Sequence, residues 1–336
     1  MNDSRRSFIK SAAMGAAGLR LASSFPTSLF AEVKRTNLFF NLAISQFSLA
    51  SQFWTKKLDP LDFAAKVKND FGITGLDYCS MFFADKVKDS QYIKELKRRA
   101  ADVGAFNLRI MVDMILGGAP LGDLNESARL KSVEAHFPWI DAAAELGCPM
   151  IRVNVEGEGQ PADVAKAAVD SLGRLIEFGS KSQIDVIVEN HIGISCNAGW
   201  LGDVMKQVNS KHCGTLADFG NFCVNRTKPE AQTIDAYMKT KCLEEYDRYK
   251  GIAELMPYAK GVHAKTHLFD ANGNDKETDF VRMFKIIKDS GFTGWVSVEY
   301  EGGLMRMYKK DEQYLEDDQG VIATKKLVEK AGALVA

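Results

Sequence analysis

Four acidic or histidine side chains each follow a short apolar run in the second half of this sequence. The runs that precede Glu189, Asp218, His263 and Glu299 have the composition of buried strands. Consecutive strands of a parallel barrel end on one face, where barrel enzymes keep their chemistry. Two glutamates, one aspartate and one histidine meeting there would form an open site of oxygen and nitrogen donors. The spacing therefore predicts a binding site for one divalent metal ion.

Charged groups at strand ends are common, and any one of these residues alone could simply form an ion pair at the rim. Four in succession, each directly after an apolar run, favour a shared site instead. Three carboxylates and one imidazole suit a hard to borderline cation, namely Mn²⁺, Co²⁺, Mg²⁺ or Zn²⁺. Two coordination positions would be left for adjacent oxygens of a substrate.

The elements that must position these residues alternate between strand and helix. Eight apolar runs predict strands at residues 37–46, 75–78, 106–113, 150–154, 184–189, 214–218, 260–265 and 294–299. Helical signals follow at 61–71, 86–104, 126–147, 161–182, 200–208, 278–290 and 321–331, and a longer charged segment covers 226–258. Continuous apolar runs are typical of parallel strands that are buried on both faces. The pattern predicts an α/β fold, a single-domain (β/α)8 TIM barrel over residues 37–333.

A doubly wound open sheet is the rival architecture. That fold would require a glycine-rich, phosphate-binding turn after the first strand, whereas residues 46–49 read Gln-Phe-Ser-Leu. No internal repeat or linker interrupts the alternation, so the barrel is the preferred interpretation.

Bulk composition narrows the classes of partner. The 336 residues are 46% hydrophobic and 26% charged, with a formal net charge of −1, which is the ordinary globular mix. The sequence has no basic block to mark nucleic-acid binding. No apolar run approaches the roughly 18 residues that a membrane span needs. We expect a small-molecule partner and no membrane anchor in the mature chain, while a homo-oligomer stays open.

The N-terminal residues 1–31 resemble a twin-arginine export signal. Residues 4–10 read SRRSFIK, and a weakly apolar stretch of small residues follows. Removal near Ala31 would give a periplasmic protein. No cysteine precedes Cys79, which excludes a lipoprotein anchor. The alternative is a cytosolic protein with a disordered basic tail.

Six cysteines could form disulfides in an exported protein. They are Cys79, Cys148, Cys196, Cys213, Cys223 and Cys242. None belongs to a CxxC pair, and a chain of this length needs no covalent staple. Because Cys148 and Cys213 open predicted strands, we expect them to be reduced and buried.

The four strand-end motifs resemble those of a known family. They are VIVENH at 186–191, TLADFGN at 215–221, GVHAKTH at 261–267 and VSVEYEGG at 296–303. Together they are similar to the sugar phosphate isomerase/epimerase superfamily with the xylose-isomerase-like barrel, over about residues 37–333. The resemblance implies that Glu189, Asp218, His263 and Glu299 bind one divalent metal. It also implies that Glu189 and Glu299 act as acid and base on the substrate.

Two positions depart from the family pattern. Many family epimerases have a histidine three residues after the aspartate, where this chain has Asn221. Many also read His-x-Lys-Asp after strand 7, where Thr266 replaces the final aspartate. These departures keep the metal ligands and leave the substrate open.

Five further residues are predicted to bind substrate. They are Lys265, His191, His267, Arg152 and Trp54. Lys265 could neutralise an enediolate or pair with Glu299 or Glu301, and Trp54 could stack on a sugar face.

For three other acidic residues the sequence does not predict a definite role in the site. Asp113 could bond a sugar hydroxyl or form an ion pair. Glu156 and Glu158 lie in a glycine-rich loop, for which we expect solvent exposure.

The site suits removal of a proton next to a carbonyl through a metal-stabilised enediolate. Returning the proton to the opposite face gives epimerisation, and returning it to the neighbouring carbon gives isomerisation. Losing a β-substituent instead would make the protein a lyase or hydrolase of a keto-glycoside. We predict a sugar isomerase or epimerase, with the keto-glycoside lyase as the alternative. Export favours an unphosphorylated carbohydrate, because a periplasmic enzyme would not meet cytosolic sugar phosphates.

Two hypotheses that assign the protein to other functional classes have less support. A sugar-binding barrel without turnover does not explain the two glutamates. An endonuclease of the same barrel superfamily would need more histidines than the five present, and a basic groove.

Overall fold

Eight parallel strands close into a barrel in the computed structural model, which describes residues 38–114, 118, 120–231, 233, 236–237, 239–309 and 312–336. The barrel strands are β1 Asn41–Ser45, β2 Gly75–Cys79, β3 Phe106–Met111, β4 Met150–Val153, β5 Asp185–Glu189, β6 Cys213–Asp218, β9 Ala259–Thr266 and β10 Trp295–Tyr300. Two short strands, β7 Cys223–Arg226 and β8 Cys242–Glu245, form a separate hairpin. The predicted TIM barrel is confirmed, whereas the predicted export signal lies outside the described residues.

Helices cover the outside of the barrel. The α-helices are Ala50–Trp54, Phe63–Lys66, Ser90–Asp102, Glu126–Leu146, Pro161–Ser180, Ala198–Val208, Arg248–Leu255, Phe280–Asp289, Gly302–Tyr308 and Asp317–Val335. Their buried faces and the barrel strands share one apolar core. Among the described residues, no helix combines the length and the apolar character that crossing a bilayer requires.

Local sequence signals explain where the long helices begin and end. Asn125 accepts a hydrogen bond from the Ala128 amide and caps Glu126–Leu146. Gly147 ends that helix with a φ of 87°, a left-handed conformation that favours glycine. The predicted helix 61–71 differs: a 3₁₀ turn, one α-helical turn and the π-helical Val67–Phe71 share this segment.

Strand order brings the chemistry together. β6 pairs with β9 because the β7–β8 hairpin leaves the barrel, and Asp218 then lies opposite His263. β9 pairs in turn with β10, which places Lys265 opposite Glu299. The three strands that follow β5 therefore stand side by side, as the site prediction required.

The segment 226–258, predicted only as long and charged, begins at the last residue of β7 and contains β8 and the helix Arg248–Leu255. A disulfide joins Cys223 to Cys242 across the hairpin. The expectation that the chain would form no disulfide is wrong for Cys223 and Cys242. Cys148 and Cys213 are free thiols, Cys148 buried and Cys213 half-buried.

Candidate active site

The four predicted ligands converge at the mouth of the barrel. Glu189 ends β5 and Asp218 ends β6, whereas His263 and Glu299 lie inside β9 and β10, which run on to Thr266 and Tyr300. All four residues are buried, and one ligand atom of each lies within 4.8 Å of the others. His263 Nδ1 is 3.4 Å from Glu189 Oε1 and 3.1 Å from Glu299 Oε1.

The hydrogen bonding of this cluster fits a cation. Each of the four residues has a buried polar atom that makes no hydrogen bond: Glu189 Oε2, Asp218 Oδ2, His263 Nδ1 and Glu299 Oε2. Leaving such atoms unpaired is costly, so native proteins usually satisfy them. Three carboxylates and an imidazole are donors that a divalent metal accepts. The cluster could therefore bind a metal ion.

A carboxylate below the site orients the histidine. Asp77 Oδ2 lies 3.3 Å from His263 Nε2, on the ring edge opposite the candidate ligand atom. Asp77 also accepts hydrogen bonds from Arg109 Nε at 2.8 Å and Ser297 Oγ at 2.5 Å. Burial would raise the pKa of Asp77, but the charges of Arg109 and His263 outweigh it and lower that pKa. Asp77 is therefore ionised, and it holds the ring with Nδ1 facing the glutamates.

Asp218 is fixed through one of its two oxygens. Oδ1 accepts from the amides of Gly220 at 2.8 Å and Asn221 at 2.9 Å, and Oδ2 makes no hydrogen bond. The side chain of Asn190 bonds both the amide and the carbonyl of Asp218. Burial raises the pKa of Asp218 well above its ordinary value; Lys265 opposes the rise, and the carboxylates of Glu299 and Glu189 add to it.

Lys265 brings a buried positive charge to the same site. Its Nζ lies 2.8 Å from Glu301 Oε1, 3.2 Å from Glu299 Oε2 and 3.7 Å from Asp218 Oδ2. Burial would lower the pKa of Lys265, but the charges of Asp218, Glu299 and Glu301 outweigh it and raise that pKa well above the ordinary value. Both pairing options that the sequence left for this lysine, Glu299 and Glu301, are realised.

Arg152 connects Glu189 to a neighbouring carboxylate. Its Nε lies 2.8 Å from Glu189 Oε2, and its Nη1 donates to Asp113 Oδ1 at 2.5 Å. Burial would raise the pKa of Glu189, but Arg152 and His263 outweigh it and lower that pKa. Likewise, burial would raise the pKa of Glu299, but His263 and Lys265 hold it well below its usual range. Both glutamates are therefore ionised at neutral pH.

The other three residues that were predicted to bind substrate lie in different environments. His191 follows β5 and has a buried Nδ1 without a hydrogen bond. Burial lowers its pKa despite the nearby charge of Glu189. His267 lies between Glu277 at 3.2 Å and Glu301 at 3.4 Å, one contact away from Lys265. The ring of Trp54 contacts Phe47 and Phe82 rather than any of the four ligands.

Sequence reasoning missed several residues that support the site. Asp77 and Arg109 lie inside short strands. In the sequence they could have been noticed as charged residues within apolar runs. Glu156 was expected in solvent, but its residue is half-buried and its Oε2 is fully enclosed. Glu158 is exposed, as expected.

Comparison with known proteins places the fold in a family. Residues 70–325 match the family model of the xylose isomerase-like TIM barrel. The chain therefore belongs to this family. A curated relative is the 3'-dehydrocarminate deglycosidase alpha subunit of Microbacterium sp., with 22% identity over 288 residues, which are 69% of this chain and 78% of the relative.

Solved structures share the barrel. The 3-keto-D-glucoside 4-epimerase from E. coli superposes with a TM-score of 0.59 at 14% identity, covering 87% of this chain and 99% of that one. The IOLI protein, described with a bound zinc atom, gives a TM-score of 0.60 at 12% identity, covering 88% and 99%. At these identities the likeness establishes the fold alone.

Proposed function

We propose that this protein is a metal-dependent isomerase or epimerase of an unphosphorylated sugar or sugar derivative. One observation carries the proposal: two ionised glutamates and a buried lysine surround four ligand atoms that make no hydrogen bond and have only ion-pair partners. Glu189, Asp218, His263 and Glu299 would hold the ion. When bound, the ion would supply electrophilic stabilisation of the charge that develops on an enediolate.

The roles of the protein groups follow from their contacts. Glu189 and Glu299 are the candidate proton-transfer pair, since one can remove the proton next to the carbonyl and the other can return it. Arg152 keeps Glu189 ionised and restricts its orientation. Lys265 lies where it can balance negative charge on the substrate oxygens. The 3-keto-glucoside epimerase and the zinc-containing relative with the same fold agree with this chemistry.

A keto-glycoside lyase or hydrolase is the second candidate, and the relative from Microbacterium sp. favours it. The name of that relative describes removal of a glycosidic group from a dehydrogenated sugar. The same proton abstraction, followed by loss of a β-substituent instead of proton return, would give elimination. The two functions share every residue above and differ in their products.

Deuterium exchange separates these outcomes. The mature chain, loaded with Mn²⁺ in D₂O, would be offered free ketoses, aldoses and 3-keto-glycosides and followed by mass spectrometry. Deuterium in an intact product supports the isomerase or epimerase, and release of an aglycone supports the lyase. Glu299→Gln should abolish exchange, and its metal content is measured to separate lost metal from lost chemistry. Glu158→Gln, on the exposed loop, is the matched control. Absence of exchange with every substrate by the metal-loaded protein would exclude the mechanism.

A further inference from the structure

A second polar cluster lies beside the candidate metal centre, at the ends of β3, β4 and β5. Its members are Asp113, Arg152, Asn154, Glu156 and His191. Asp113 accepts hydrogen bonds from Arg152 Nη1 at 2.5 Å, Arg152 Nη2 at 3.2 Å and Asn154 Nδ2 at 3.1 Å. Because Arg152 also contacts Glu189, the cluster adjoins the proposed metal site directly.

Two side-chain atoms of this cluster have neither a hydrogen bond nor an ion-pair partner among the described residues. Glu156 Oε2 and His191 Nδ1 are buried and make no hydrogen bond. In the described part of the chain nine such atoms occur, and seven belong to the four candidate ligands together with Arg152, Glu156 and His191. Five of the seven atoms have ion-pair partners, at distances up to 3.7 Å, whereas Glu156 Oε2 and His191 Nδ1 have none among the described residues. Buried polar atoms without hydrogen bonds that are concentrated in one place indicate a binding site rather than scattered packing faults.

The backbone fixes Glu156 in this position. Its carbonyl accepts a hydrogen bond from the Gly122 amide at 2.9 Å. On the other side lies Gly193, where an added Cβ would come within 3.9 Å of the Glu156 Cβ. Glu156 therefore packs against the loop that carries His191.

The protonation of Glu156 suits a hydroxyl partner. Burial raises the pKa of this carboxyl to about 7, and the charge of Asp113 adds to the rise. Near neutral pH the carboxyl is thus present in both forms and can donate or accept a hydrogen bond. A sugar hydroxyl, which also donates and accepts, matches either form.

We propose that Glu156, together with His191 on the adjoining loop, binds a hydroxyl group of the sugar on the β3–β5 side of the candidate metal centre. The inference rests on the proposed function and adds a recognition site to it. Binding there would orient the sugar ring relative to Glu189 and Glu299. A substrate without this hydroxyl would leave the buried Glu156 Oε2 without a hydrogen bond, so the contact would also provide specificity.

The probe for this site is methyl 3-keto-β-D-glucopyranoside with its monodeoxy analogues. Binding to the Mn²⁺-loaded protein is measured by calorimetry, and kcat and KM are measured by deuterium exchange. Glu156→Ala should weaken binding about tenfold and raise KM by a similar factor, the loss expected for a buried hydrogen bond. Glu156→Gln keeps a donor and an acceptor and should stay within about threefold of wild type. Glu158→Gln should match wild type.

The analogues identify the contact. We expect wild type to bind one of the monodeoxy analogues about tenfold more weakly than it binds the parent sugar. The Glu156→Ala variant should bind that analogue and the parent sugar equally tightly. If Glu156→Ala does not fold, Glu156→Leu fills the same volume without polar atoms.

Unchanged KM and binding in a folded Glu156→Ala or Glu156→Leu protein would overturn the inference, whether or not thermal stability falls. Wild type that neither binds nor exchanges any of these sugars would instead overturn the proposed function.

Discussion

The orientation of His263 depends on a carboxylate that lies below the candidate ligands. Asp77 Oδ2 contacts the imidazole and accepts a hydrogen bond from Ser297, and Asp77 Oδ1 accepts one from Arg109. Such a partner selects the ring tautomer and keeps the ligand nitrogen pointed at the metal. The affinity of the site for metal should therefore respond to a residue that contributes no ligand atom.

Asp77→Asn tests this dependence. We expect metal affinity to fall by about 10- to 100-fold, because the neutral amide no longer holds the ring as strongly. Competition with a fluorescent chelator for Mn²⁺ measures the change. Asp203→Asn, the same substitution at an exposed position, should leave the affinity unchanged. An Asp77→Asn protein with wild-type metal affinity would show that the barrel strands alone orient His263.

The buried carboxyl of Glu156 predicts a pH dependence of stability. Its pKa is about 7 in the folded chain, against an ordinary value of 4.5. The folded state therefore holds this proton more tightly, and the group favours folding as pH falls from 7 towards 4.5. Above pH 7 the carboxyl is ionised in both states, and the full cost of a buried charge opposes folding.

Glu156→Gln removes that charge. Relative to wild type, the variant should gain about 2 kcal/mol more stability at pH 8 than at pH 5. Urea unfolding at the two pH values, with chelator present throughout, measures the difference. An equal effect at both values would mean that Glu156 ionises as it does in water.

The strands and helices that depend on a local sequence pattern could be predicted from the sequence. Apolar runs located all eight barrel strands to within a few residues, because strands buried on both faces are apolar throughout. The predicted ends of the last two strands, at 265 and 299, were each one residue short, because the pairing of β9 with β10 continues to Thr266 and Tyr300. The four candidate ligands were identified because each follows a short apolar run.

Contacts between distant segments could not be predicted in this way. Asp77 reaches His263 across 186 positions of the chain, and the mid-strand charge alone does not name its partner. The disulfide of Cys223 and Cys242 likewise depends on a hairpin whose strands are short, exposed and irregular in register. Neither strand has the apolar character on which the strand predictions relied.

The hairpin disulfide gives a prediction at this scale. It closes a loop with a sequence separation of 19 residues, and loops of this size stabilise by up to about 3 kcal/mol through the unfolded state. Replacing both cysteines by serine should lower the free energy of unfolding by about 1 to 3 kcal/mol. Metal affinity should persist, because all four candidate ligands lie on barrel strands.

A reducing agent provides the internal control. It should bring wild type to the stability of the double variant and leave the variant itself unchanged. A variant that loses its metal with its disulfide would show that the hairpin supports the site.

For the whole molecule, the compartment decides which substrates the site can meet. We propose that the chain is exported by the twin-arginine route and works in the periplasm. The disulfide supports this proposal, since disulfides persist in oxidising compartments and are rare in the cytosol. Export would separate the enzyme from cytosolic sugar phosphates. The compartment therefore bears on the unphosphorylated substrate as well as on the redox state of the hairpin.

Replacing Arg5 and Arg6 together by lysine tests the proposal in a host with a twin-arginine pathway. Wild type should appear in the periplasmic fraction, shortened by about 31 residues, with Cys223 and Cys242 protected from thiol labelling. The double variant should stay in the cytoplasm at full length, with both thiols labelled, because reducing systems there keep cysteines free. Cys213, a free thiol in the structure, should be labelled after denaturation in both fractions and serves as the control. Full-length wild type confined to the cytoplasm would refute the export signal, and substrates of the cytosol would then have to be considered for the same site.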